Sequence, residues 1–137
     1  MKRIFILLIV GSLFGCASLN EKILGSSDQS ALAKRSYQSR MFATSSDKVL
    51  RNVVSTLQDQ DYLIDRADSE LKVVTATQTS GLVKTRITVT VREKDKNQTI
   101  VRANAVRNFA QIEDPKFYQV FFNALAQSLF LEAQSID

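Results

Sequence analysis

The chain has 137 residues, 45% of them hydrophobic and 23% charged, which gives one modest core and excludes a second domain or a multi-span membrane protein. It contains one cysteine and no histidine, so an intrachain disulfide, a Ser-His-Asp triad and a Cys-His pair are all impossible, and structural zinc would have to rest on carboxylates alone. The formal charge is +4, but Lys2 and Arg3 lie in a segment that reads as removable, and without them 16 basic residues stand against 14 acidic ones, or +2. That near balance gives no electrostatic reason to expect nucleic acid, whose binders carry a clustered basic excess.

Residues 1–15, MKRIFILLIVGSLFG, carry two positive charges, an apolar run from Ile4 to Val10 and a small-residue approach to Cys16. This is the three-part pattern of a secretory signal. The run is too short for a spanning helix, which needs about 20 apolar residues. The tetrad Leu13, Phe14, Gly15, Cys16 resembles the bacterial lipobox of leucine, a variable residue, glycine or alanine, then cysteine. The resemblance implies diacylation of the Cys16 thiol, cleavage before it and acylation of the new amino group. Ala17 follows where such precursors carry an aspartate for inner-membrane retention, so delivery to the outer membrane is implied. One acyl chain binds a bilayer only marginally, whereas several anchor durably. The competing reading is an uncleaved N-terminal helix with an incidental buried cysteine.

Residues 16–39 are rich in Ser, Lys, Gln and Asn and read as a flexible tether, with the globular domain expected over 40–137. Arg40 to Thr44 is a strand candidate. Thr44 with Asp47 resembles a capping box, and Val49, Leu50, Val53, Val54 and Leu57 fall within an arc of about 140° at 100° per residue, so a helix is expected there. Strand candidates follow at Tyr62 to Arg66 and Leu71 to Gln78, joined by an acidic turn. Thr85 to Glu93 places Ile87, Val89 and Val91 on one side, and Thr99 to Arg107 does the same with Val101, Ala103 and Ala105. The spacing of two predicts half-buried strands in a hairpin. Asp114 before Pro115 marks a helix start. The helix runs to Gln134, with Tyr118, Phe121, Phe122, Leu125 and Leu129 centring its buried side. Its apolar arc spreads to roughly 240°, wider than one sheet contact covers.

The expected architecture is α+β: a single antiparallel sheet of about five strands with two helices on one face, in the order strand, helix, four strands, helix. That order resembles the helix-grip domains of BamC-type outer-membrane lipoproteins. The segments SRMFATSSDKVLRNVVSTLQDQDYLIDRADSELKVVTAT and EDPKFYQVFFNALAQSLFLEAQSI look like those of a widespread group of small bacterial lipoproteins. The resemblance implies fold and anchoring and assigns no reaction.

Two surfaces stand out. Lys84, Arg86, Arg92, Arg102 and Arg107 form a predicted outward row that would suit phosphates, with Arg86, Arg92 and Arg102 as its anion-binding candidates; a solvated sheet face is the plainer reading. The apolar excess of the last helix, at Phe117, Val120, Phe130 and Leu131, suits a protein partner, unless the 108–113 loop, with Phe109 and Ile112, folds over it. The adjacent carboxylates Glu113 and Asp114 read as a helix cap rather than a catalytic pair. The expectation is a non-enzymatic lipoprotein of the outer membrane, facing the periplasm, that binds another envelope protein. It would need no metal and no cofactor beyond the lipid on Cys16. The alternative is a lipid or small-molecule module using the sheet–helix groove or the basic sheet face.

Overall fold

A computed structural model describes residues 30–135. The chain divides into two compact units, Met1–Ala33 and Lys34–Asp137. Helix α1, described over residues 30–38, is followed by β1 (Ser39–Phe42), α2 (Ser46–Asp59), β2 (Leu63–Asp68), β3 (Val73–Ser80), β4 (Val83–Asp95), β5 (Gln98–Arg107), β6 (Ala110–Gln111) and α3 (Pro115–Gln134). All pairings are antiparallel. The sheet order is β1-β5-β4-β3-β2, with β6 also on β5.

The expected α+β fold, one antiparallel sheet under helices, is what the chain adopts. Alternation in β4 and β5 sets the core face: Ile87 sits opposite Ala105, Val89 opposite Ala103 and Val91 opposite Val101, all six buried. Small side chains at Ala76, Ala103 and Ala105 share that core with Tyr118, Phe121 and Phe122 of α3 and with Val49, Val53 and Leu57 of α2. Mixing large and small groups lets the layers interdigitate at native density. The helices are bound to each other as well: Asn52 donates to Glu132, and the Ser128 hydroxyl donates to the Asn52 side-chain oxygen at 2.7 Å.

Four expectations need correction. The tether was expected to stay flexible to Ser39, but residues 30–38 are helical and the folded unit begins at Lys34 rather than Arg40. Ala, Leu, Lys and Arg in ALAKR are strong helix formers, and Tyr37 stacks on Tyr118 with ring centroids 5.6 Å apart. A sixth strand, β6, lies in the segment read as a loop. The capping box at Thr44 does not form: the N-cap of α2 is Ser45, without a side-chain cap bond, and the Asp47 carboxylate accepts from Lys72 at 2.6 Å instead. Arg107 leaves the outward row, because it pairs with Thr85, which lies in the register of Ile87 and Val89. The Asp114 cap does form, its carboxylate accepting from the Lys116 amide at 3.0 Å.

The outer edge of β5 shows how the aromatic helix seals the sheet. β1 covers residues 99–102 and β6 covers 106–107. Between them the Tyr118 hydroxyl is inserted: it accepts from the Ala105 amide at 3.2 Å and from the Gln38 side chain at 3.2 Å, and donates to the Ile112 carbonyl at 2.6 Å. Ile112 returns its own amide to the Ala105 carbonyl at 2.8 Å. A phenol has one proton to give and two lone pairs, and here all are used.

The turn from β2 to β3 carries an acid-sensitive element. Asp68 accepts the Leu71 and Glu70 amides and the Arg66 guanidinium, and the Leu71 amide bond foremost holds its carboxyl below the usual 3.8. Asp47 is likewise held low, first by its hydrogen bond from Lys72. A depressed carboxylate contributes stability above its unfolded pKa and loses it as pH falls through the folded value. Thermal unfolding is therefore expected to shift to lower temperature as the pH drops below 3.8, by a small amount because both groups are solvated. Asp68→Asn should flatten that acid limb; an unchanged slope would count against the turn as its source.

Candidate functional site

The lipobox candidates Leu13, Gly15, Cys16 and Ala17 lie outside the described residues. The remaining candidates divide between the uncovered sheet face and α3.

On the sheet, Arg86, Arg92 and Arg102 are all exposed and point away from the helices, and among the described residues none makes an ion pair. Register brings only two of them together. Arg102 is opposite Thr90 and Arg92 opposite Ile100, so Arg92 and Arg102 are diagonal neighbours, about 7–8 Å apart. Arg86 faces Val106 and stands four residues from Thr90, roughly 13 Å along the strand. The face between them is threonine and asparagine: Thr75, Thr88 and Asn104 fall in one cross-strand row. The three arginines do not form one pocket.

On α3, Val120, Phe130 and Leu131 remain uncovered, at 63%, 63% and 56% exposure. The 108–113 loop does not close over them. Ile112 is buried, but Phe109 is fully exposed. Phe117 is half-buried, its ring edge against Tyr118 at 5.2 Å, so it serves the core rather than an open surface. Val120 lies about 16 Å along the axis from Leu131, so the apolar excess is split between the two ends of the helix.

At the C-terminal end the surface has shape. A groove of about 250 Å³ opens between the end of β1, the start of α2 and the last turns of α3, lined by Phe42, Ala43, Thr44, Lys48, Leu129, Phe130, Glu132 and Ala133. Phe42 and Leu129 pack on the core and form the apolar floor. Phe130 is an exposed wall, and Lys48 and Glu132 place opposite charges on the lip. Sequence periodicity marked Phe130 as misplaced on a wet side, yet gave no sign of Phe42 and Lys48 as its neighbours, since they come from elements some 80 positions away in the chain. The space between α3 and the sheet is filled by Tyr118, Phe121, Phe122 and Leu125, all buried.

Glu113 and Asp65 are engaged structurally. Glu113 pairs with Lys34 at 2.5 Å, which raises the Lys34 pKa chiefly through that hydrogen bond. Asp65 accepts from the Thr77 hydroxyl at 2.5 Å. Among the described residues no three His, Cys, Asp or Glu side chains could share a metal ion, and no helix is long and apolar enough to cross a membrane. No known family matches this chain, and no curated protein matches its sequence.

Proposed function

We propose that this chain is an outer-membrane lipoprotein, anchored through lipid on Cys16 and facing the periplasm. Its folded unit is a non-enzymatic accessory subunit that binds an envelope protein of a barrel-insertion, efflux or secretion assembly. The observation that carries the partner site is the Phe130 groove, where an exposed aromatic wall stands over an apolar floor. Such a recess suits an apolar side chain of a partner ringed by polar contacts, the arrangement in which a few buried residues carry most of the binding energy.

The test is Phe130→Asp in the full-length lipidated protein, followed by capture of bound proteins from detergent-solubilised membranes. Phe130 is 63% exposed, so the fold should tolerate the change. Losing a buried phenylalanine from the contact removes about 1.5–3 kcal/mol, which is roughly 10- to 100-fold in affinity. Partners retained at parental levels in a folded Phe130→Asp protein would refute this surface.

A further inference from the structure

The end of the sheet opposite the groove carries an apolar fringe. The β3–β4 turn is Gly81-Leu82, with Gly81 at φ 59° and Leu82 99% exposed. The β5–β6 turn is Asn108-Phe109, with Phe109 fully exposed at φ 151°. The two turns are tied together, because the Asn108 side chain accepts from the Lys84 amide and the Asn108 amide donates to the Lys84 carbonyl, each at 2.9 Å. They stand two strand spacings apart, about 10 Å. Leu63, Val83 and Val106, all exposed, extend the fringe at the same end. Lys84, Arg86 and Arg107 stand directly behind the tips; Asp61 lies beyond them, at the start of β2.

Phe109 is the telling residue. Asparagine tolerates the left-handed region, but a bulky side chain with positive φ is strained, and backbone strain of this kind is kept where it serves a function. Glycine would make the turn without strain, so the ring is held out at a cost in stability with no contact inside the fold to compensate. The chain also enters the sheet from this side: Ser39 pairs with Arg102 and Phe42 with Thr99, so the residues that precede β1 approach from the tip side of the sheet, and Phe42 ends β1 on the groove side.

We propose that Leu82 and Phe109 insert into the headgroup–acyl boundary of the bilayer, with Lys84, Arg86 and Arg107 at lipid phosphates. This edge-on contact orients the domain with its groove directed away from the membrane. The inference rests on the anchoring at Cys16. Tethering makes a two-residue insertion sufficient, because the anchor supplies the affinity and the tips need supply only orientation.

The protein has no tryptophan, so Leu82→Trp and Phe109→Trp each install a sole tryptophan, excited selectively over the tyrosines. Leu71→Trp does so at the opposite end of the sheet, where Leu71 is 67% exposed. The full-length lipidated variants are reconstituted into vesicles of phosphatidylethanolamine and phosphatidylglycerol containing brominated acyl chains, and floated. Blue-shifted emission and severalfold stronger bromolipid quenching at positions 82 and 109 than at 71 is the expected result. Equal quenching at all three, or a blue shift without quenching, which would report a protein contact, overturns the proposal. In a further arm, Phe109→Gly should melt at higher temperature yet reduce quenching of the Leu82→Trp reporter; a Phe109→Gly protein no more stable than its parent contradicts the strain argument. Flotation itself reports the anchor: protein that floats with unquenched tips refutes only this proposal, whereas protein that does not float refutes both.

Discussion

Cys16→Ser is expected to abolish incorporation of labelled palmitate, to leave the product at precursor size and to remove it from the outer-membrane fraction. The reason is additive burial of methylenes: each contributes about 0.8 kcal/mol, so one acyl chain holds a protein only transiently and several hold it durably. The thiol is the only one in the chain, so no second site can substitute for it. Fractionation identical to the parent would remove the membrane from the account entirely, and with it the orientation of the Phe130 groove. The measurement is independent of the fold, because Cys16 precedes the folded unit that begins at Lys34.

The largest effect on stability is expected at Tyr118. Tyr118→Phe keeps the ring and its packing on Tyr37 but strands the Ala105 amide and the Ile112 carbonyl, both of which use the hydroxyl. A buried polar group left without a partner costs about 1–3 kcal/mol, so a loss of about 2 kcal/mol or more is expected from one oxygen. Tyr118→Ala adds the cavity of a fully buried aromatic, about 3–5 kcal/mol in comparable cores. Against a total of roughly 5–15 kcal/mol, that leaves little folded protein. Urea titration separates the two, with the midpoint falling in Tyr118→Phe while the slope stays constant. A Tyr118→Phe unfolding free energy within ~0.5 kcal/mol of the parent, the range of ordinary surface changes, would show that water replaces the hydroxyl and that the β5–β6 junction is open.

The two ends of the sheet make opposite demands on the same chain. At one end Phe109 holds an aromatic ring outward on a strained turn; at the other Phe130 walls a groove whose floor belongs to the core. Neither belongs to the buried core, which includes Val49, Val53, Leu57, Val74, Ile87, Val89, Tyr118, Phe121, Phe122 and Leu125. Exposed aromatic surface at both poles fits a module placed between a membrane and a partner.

Alternation made β4 and β5 readable, helical periodicity α2, and a cap the start of α3. Ile87, Val89 and Val91 recur every second residue, and Asp114-Pro115 punctuates the chain where the last helix begins, so local chemistry alone selects strand or helix there. The two-residue β6 carries no such period. It exists because Ile112 and the Tyr118 hydroxyl hold it against β5. The end of the tether folds for a related reason: α1 combines local helix propensity with docking of Tyr37 and Gln38 on Tyr118, a contact across some 80 positions.

The sequence by itself determined the fold class, the buried faces of α2, β4, β5 and α3, and the expectation of a lipidated Cys16. Each of these is written in neighbouring residues, through charge, spacing and caps. Only tertiary structure decided that Arg86 stands apart from Arg92 and Arg102, that Phe130 and Phe42 line one groove, and that Leu82 and Phe109 share one end of the sheet. Those relations depend on strand register and helix placement, which bring distant positions together through burial of the common core, and no local pattern encodes them.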